Sequence, residues 1–200
     1  MEDLSQLPRI GDALPLVPSD PQWISVALAD LDAVHADHLH CERKAAQSAL
    51  SLIRSYPDHA DLVTAMARLA HDETRHVIQV SQLMARREQP ASFDFGDDYA
   101  AALREHIRKR EPLRLLDRLL VFAVIEGRSA ERLDLLANAL PDPRDAQLYA
   151  SLAAAEVRHR DIFLSLARDI SPDSWRERAA ELAALEAGIL ANRPIVARIH

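Results

Sequence analysis

Residues 71–76 read HDETRH, and residues 155–159 read AEVRH. Each stretch contains a glutamate followed three positions later by a histidine, Glu73 with His76 and Glu156 with His159. Residues i and i+3 lie on one face of an α-helix, so each pair points in one direction. Because the other residues on those faces are apolar, we expect both pairs to face the protein interior. A buried carboxylate there needs a compensating partner.

The composition around the two pairs favours helices throughout. The chain has 200 residues, is 48% hydrophobic and contains only 4 glycines, which predicts one helical domain over residues 1–200. Early prolines predict an extended N-terminal arm over residues 1–20. Apolar periodicity and Pro or Asp start signals then predict helices at about 19–55 (either continuous or broken once), 61–87, 98–110, 111–139, 142–169 and 173–191. Four long helices, a crossover segment after the second and an extra C-terminal helix predict an all-α four-helix bundle.

Two further glutamates complete a pattern across the four long helices. Glu42 precedes Glu73 by 31 residues, and Glu126 precedes Glu156 by 30 residues and directly follows seven apolar residues. Carboxylates and imidazoles without thiolates suit iron or manganese, and two divalent ions would balance four carboxylates. One Glu from each of two helices plus Glu-x-x-His from each of the others is the ligand plan of ferritin-like di-iron proteins. The sequence therefore predicts a ferritin-like bundle whose metal ligands are Glu42, Glu73, His76, Glu126, Glu156 and His159.

Three polar side chains near these ligands are candidates for supporting roles. Asp72 could accept a hydrogen bond from His159 and fix its tautomer. His38, four residues before Glu42, either packs in the core or lines the edge of the pocket. Ser129, one turn after Glu126, could hydrogen-bond an iron-bound oxygen species.

Charge and targeting signals limit the possible partners. The formal net charge of −7 argues against nucleic-acid binding by the whole surface. One local basic run is either a phosphate-binding patch or a solvated face, and its candidate RNA-binding residues are Arg104, Arg108, Lys109, Arg110, Arg114 and Arg118. A single cysteine, an acidic N-terminus unlike a signal peptide and no apolar run of membrane-spanning length predict a cytoplasmic protein without a membrane segment.

Four stretches of the chain resemble the MiaE family of tRNA hydroxylases: ADLDAVHADHLHCERKAA (29–46), HDETRH (71–76), VFAVIEGRSAERL (121–133) and AAAEVRHRDIF (153–163). Members of that family are ferritin-like di-iron monooxygenases. They hydroxylate the isopentenyl side chain of 2-methylthio-N6-isopentenyladenosine, next to the anticodon of tRNA. The resemblance implies two iron ions held by the six predicted ligands, O2 as co-substrate, tRNA as substrate and an electron-donor protein of the ferredoxin or reductase type.

Two other functions fit the residue pattern. The first is a ferritin-like di-iron oxidase or iron-handling protein with a different substrate, and the second is a metal-free helical interaction module. The apolar side chains of Phe122 and Ile125 could receive a prenyl chain, or they could be ordinary core. Metal content tests the interaction module, and the mass of the product distinguishes tRNA hydroxylation from the oxidase.

Overall fold

The computed structural model describes residues 10–200, so residues 1–9 of the predicted arm lie outside the described part. Residues 10–200 contain no strand. Their α-helices are α1 (Gln22–Ala29), α2 (Leu31–Ser55), α3 (Ala60–Arg86), α4 (Asp98–Glu105), α5 (Leu113–Ala139), α6 (Pro143–Ile170) and α7 (Trp175–Ala191). The four long helices α2, α3, α5 and α6 have 25, 27, 27 and 28 residues, as predicted. No helix in this range combines the length and apolar character needed to cross a bilayer.

Two local predictions need correction. The arm is not fully extended, because Ile10–Ala13 forms a 3-10 helix. A Cβ on Gly11 would overlap the guanidinium end of Arg160, so a larger residue there would displace that side chain. Helix α4 ends at Glu105 rather than near Arg110. The backbone N–H of Arg108 donates to the Asp117 carboxylate at 2.8 Å instead of continuing the helix.

The predicted break in the first long helix lies at Asp30, between α1 and α2. The Asp30 side chain accepts a hydrogen bond from the Ala33 backbone N–H at 3.0 Å. This is an N-cap interaction, which satisfies one of the unpaired N–H groups at the start of α2. The cap therefore fixes the first residue of α2, the helix that contains Glu42.

One compact unit, called here the α2–α3 unit, comprises Ser19–Asp97, Ser129–Ala155 and Pro194–His200. Its core includes Trp23, Val34, Leu83, Leu133 and Leu152, all buried. Side chains of this unit hydrogen-bond to the backbone of the segment after α7. The indole N–H of Trp23 donates to the Arg198 carbonyl at 3.0 Å, and the Arg132 guanidinium donates to the Ile199 carbonyl at 3.0 Å.

A second compact unit, the α4–α7 unit, comprises residues 10–18, Asp98–Arg128 and Glu156–Arg193 of the described chain. Inside it the guanidinium of Arg128 donates to both oxygens of Glu186 at 2.8 and 3.0 Å, and the Tyr99 hydroxyl donates to Glu186 at 3.0 Å. Arg128 and Glu186 are fully buried. Removing one partner of such a pair typically costs about 3–5 kcal/mol, because the other charge is left buried.

Candidate metal centre

Helices α2 and α3 bring three of the predicted ligands together. His76 Nδ1 lies 3.3 Å from Glu42 Oε2 and also 3.3 Å from Glu73 Oε2. All three side chains are buried, as their positions on the apolar helix faces predict. The i, i+3 spacing in α3 points Glu73 and His76 the same way, and Glu42 reaches the same imidazole from α2.

The pair on α6 repeats this geometry. His159 Nδ1 lies 3.3 Å from Glu156 Oε2, and both side chains are buried. Glu126 on α5 is also buried, with 5% of its surface exposed. Both Glu-x-x-His pairs are therefore buried, and each pair offers one carboxylate and one imidazole to a metal ion.

The donor spacing fits metal ligation better than direct hydrogen bonding. A separation of 3.3 Å is longer than the usual 2.7–3.2 Å of an N–H···O hydrogen bond. Two ligand atoms that each lie about 2.1 Å from one ion, at an angle of about 100°, are about 3.2 Å apart. The same Nδ1-to-Oε2 spacing occurs in both Glu-x-x-His pairs, and an all-oxygen and nitrogen donor set suits iron or manganese. These residues therefore fit a site for a hard divalent metal.

His38 has a more specific position than simple packing. Its Nε2 lies 2.5 Å from Glu42 Oε1, so the two oxygens of Glu42 face two different imidazoles. The other face of His38 stacks on Tyr149, with ring centroids 5.6 Å apart. The i, i+4 spacing of His38 and Glu42 on a helix was the sequence signal for this contact.

The other two supporting candidates have contacts of their own. Asp72 is partly exposed and forms ion pairs with His71 and Arg75 at 3.6 and 3.5 Å. Its hydrogen bond to His159 stays a prediction. The Ser129 hydroxyl lies 2.8 Å from His200 Nε2, a contact that the sequence did not indicate because residue 200 is 71 positions away.

Five of the six candidate RNA-binding residues line a surface cleft of about 540 Å³ in the α4–α7 unit, whereas Arg110 is exposed and is not part of its lining. The lining residues are Arg104, Ile107, Arg108, Lys109, Arg114 and Arg118. Arg108 differs from the other cations, because its guanidinium donates to both oxygens of the buried Asp117. Burial alone would raise the pKa of Asp117, but the hydrogen bonds from Arg108 and Arg178 outweigh burial and lower it.

Comparisons with known proteins agree with this picture. A family profile described as tRNA-(MS[2]IO[6]A)-hydroxylase (MiaE) matches residues 9–200. A Pseudomonas putida protein named tRNA 2-(methylsulfanyl)-N(6)-isopentenyladenosine(37) hydroxylase is 41% identical over 179 residues, which cover 90% of this chain and 86% of that protein. A Salmonella typhimurium protein of the same name is 28% identical, covering 92% of this chain and 86% of its own.

A solved structure is also similar over most of the chain. It is a Synechococcus protein described as having aldehyde deformylating oxygenase activity, and it matches with a TM-score of 0.87 and 37% identity, over 94% of this chain and 95% of that one. This similarity confirms the predicted ferritin-like, all-α fold. With the family match along nearly the whole chain, it leads to one conclusion: the chain belongs to the MiaE family of tRNA hydroxylases.

Proposed function

We propose that this chain hydroxylates the isopentenyl group of 2-methylthio-N6-isopentenyladenosine next to the anticodon of tRNA, using O2. Family membership and the names of the two relatives support the substrate. The single observation that supports an oxidative metal centre is that both Glu-x-x-His pairs are buried with the same spacing of 3.3 Å between the Nδ1 and Oε2 ligand atoms. A tRNA substrate and the single cysteine of the chain both favour a cytoplasmic location.

Six side chains would hold two iron ions: Glu42, Glu73, His76, Glu126, Glu156 and His159. Two ferrous ions bound there would supply the reduction of O2 that puts one oxygen atom into a C–H bond and the other into water, with two electrons from a ferredoxin or reductase type of donor and two protons from solvent. His38 would hold Glu42 in one orientation through its 2.5 Å contact with Oε1. The burial of the six side chains would keep bulk water from the reacting atoms.

Two apolar side chains that precede Glu126 on α5, Phe122 and Ile125, suit a prenyl substrate. Phe122 on α5 packs against Phe163 on α6, with ring centroids 5.4 Å apart. Phe163 is buried, whereas Phe122 and Ile125 are only partly buried. A branched five-carbon chain gains affinity by leaving water for such an apolar surface. We therefore assign Phe122 and Ile125 to contact with the isopentenyl group.

The basic cleft is the proposed contact for the tRNA backbone. Arg104, Lys109 and Arg114 are exposed along its wall. Arg108 would shape the cleft rather than bind phosphate, because Asp117 already accepts from its guanidinium. The charge-reversing pair Lys109→Glu with Arg114→Glu should weaken tRNA binding about 10-fold or more and reduce its dependence on salt. Arg54→Glu on the exposed surface of α2 carries the same kind of change and should have little effect; equal losses would refute the assignment.

Product analysis tests the reaction itself. The protein is reconstituted anaerobically with ferrous iron, supplied with a reductant, O2 and tRNA from a strain that lacks this hydroxylase, and the digested nucleosides are weighed by mass spectrometry. We expect the prenylated adenosine to gain the mass of one oxygen atom, and ¹⁸O2 to label it. Glu73→Gln serves as the inactive control. An unchanged nucleoside with fully iron-loaded protein would refute the proposal.

A second candidate function is oxidative cleavage of an aldehyde, which the similarity to the Synechococcus structure favours. The same iron-loaded preparation should then convert a long-chain aldehyde into a hydrocarbon and formate. Running both substrates in parallel distinguishes the two reactions, because each product has its own mass.

A further inference from the structure

A second group of metal-ligand side chains lies where the segment after α7 packs on α2. Cys41 is on α2, Asp97 directly precedes α4, and His200 belongs to the segment Pro194–His200. The side chains of Asp97 and His200 are 8% and 5% exposed, and Cys41 is buried. Their ligand atoms lie within 4.8 Å of one another. All three residues belong to the α2–α3 unit.

The spacing within this group matches a tetrahedral zinc site. His200 Nδ1 is 3.4 Å from Cys41 Sγ and 3.4 Å from Asp97 Oδ2. Zinc binds sulfur at about 2.3 Å and nitrogen or oxygen at about 2.0–2.2 Å, so a tetrahedral angle separates sulfur from nitrogen by about 3.5 Å and nitrogen from oxygen by about 3.4 Å. Both measured distances agree with these values.

The His200 ring is also oriented as a ligand requires. Ser129 Oγ lies 2.8 Å from Nε2; when Nε2–H donates to Ser129, the Nδ1 lone pair faces Cys41 and Asp97. Metal-binding histidines are commonly fixed in this way by a partner on the second ring nitrogen. The preceding backbone is held as well, because the Ile199 N–H donates to Asp37 Oδ2 at 2.8 Å.

We propose that Cys41, Asp97 and His200 bind one Zn²⁺, with water as a fourth ligand, and so fix the segment Pro194–His200 to α2. One thiolate and one carboxylate would balance the charge of the ion. Cysteine binds zinc as the thiolate, so the metal would displace the proton of the Cys41 thiol on binding. Lys44 forms an ion pair with Asp97 at 3.7 Å, a separation longer than a hydrogen bond, so zinc would share the Asp97 carboxylate with this cation.

Cobalt titration of the purified full-length protein tests this site, because Co²⁺ bound to a thiolate gives an intense near-ultraviolet charge-transfer band. The Glu/His group contains no thiolate and therefore cannot produce that band. We expect one equivalent of Co²⁺ to develop it in the wild-type protein and in Glu73→Gln, and Zn²⁺ to abolish it by competition. Cys41→Ser should lose the band, and Ser129→Ala should weaken Co²⁺ binding about 10-fold.

Two outcomes would overturn the proposal: absence of the band in the wild-type protein, or its persistence in Cys41→Ser. His200→Gln provides a second variant in case Cys41→Ser folds poorly, because residue 200 lies outside every helix. Circular dichroism of each variant checks the helical content. The readout does not depend on iron or tRNA, so its result is separate from that of the proposed hydroxylation.

Discussion

Glu42 and Glu126 are the two proposed ligands without a histidine three residues later, and they have different neighbours. Glu42 on α2 has a histidine four residues earlier, and His38 Nε2 lies 2.5 Å from its Oε1. Glu126 on α5 has Phe122 at the same offset, and that ring packs on Phe163. A helix places residues i and i+4 side by side. The position before the glutamate is therefore polar in the Glu42 half (α2 and α3) and apolar in the Glu126 half (α5 and α6).

The polar side extends further in the α2–α3 unit. His38 stacks on Tyr149, and Tyr149 stacks on His35 with ring centroids 6.3 Å apart. His35 Nδ1 in turn lies 3.0 Å from the Gln89 side chain. The comparison indicates a division of roles between the two halves. The Glu42 half would hold ligand orientation through hydrogen bonds, and the Glu126 half would offer apolar surface to a substrate.

The largest effect on activity should come from neutralising the Glu-x-x-His glutamate, which is present in both halves. Glu73→Gln and Glu156→Gln each replace the buried carboxylate of a Glu-x-x-His pair, a proposed metal ligand, by a neutral side chain of the same shape. Loss of a direct ligand should exceed the 10–100-fold effect typical of its supporting residues, so each variant should lose more than about 100-fold in hydroxylation. Iron content per chain and product yield measure this. Full activity in either variant would show that its half does not hold metal.

The next largest effect should distinguish the two halves. His38→Phe places a phenylalanine four residues before Glu42, as Phe122 stands before Glu126, and it should reduce iron affinity or turnover about 10–100-fold. His38→Gln can still hydrogen-bond Glu42 and should recover part of that loss. A purely structural role would instead give both variants the same defect, or a defect in stability without one in iron affinity.

Much of this architecture was predictable because its signals are local. Pro112 directly precedes α5 and Pro143 begins α6, and proline is favoured in the first turn of a helix. The burial of the six proposed ligands was predictable from one spacing repeated on apolar helix faces, whereas their binding of metal stays a prediction. Local patterns of this kind do not depend on the rest of the fold.

The features that sequence analysis missed depend on long-range contacts. Helix α4 ends early because Asp117 binds Arg108 from nine residues away, and the same contact changes how Arg108 can act in the basic cleft. The contact of His200 with Cys41 joins residues 159 positions apart, and the segment that carries it lies outside every helix. Contacts between residues far apart in the sequence produce no periodic pattern, so they could be identified only in the folded structure.

A smaller effect should appear in substrate affinity on the apolar side. Phe122→Ala removes part of the surface assigned to the isopentenyl group and should raise KM about 10-fold, the value of a few buried methylene groups. Phe122→Leu keeps much of that surface and should change KM little. Turnover at saturating tRNA should be less affected in both variants. A loss confined to kcat would place Phe122 in support of Glu126 rather than in contact with substrate.

The smallest effect should be a pH dependence of the free energy of unfolding that comes from His35, in the Glu42 half. Burial lowers the pKa of His35 below its ordinary value, and the hydrogen bond with Gln89 opposes this only in part. Folded His35 therefore stays neutral where the unfolded chain begins to bind a proton, near pH 6.5. Its contribution is complete above that pH and is lost as the pH falls toward the folded pKa, by at most about 1.4 kcal/mol per pH unit. Urea unfolding at several pH values should show a shallower slope below pH 6.5 in His35→Gln than in the wild-type protein. Phe122→Leu should retain the wild-type slope; a slope unchanged in His35→Gln would assign the acid sensitivity to another group.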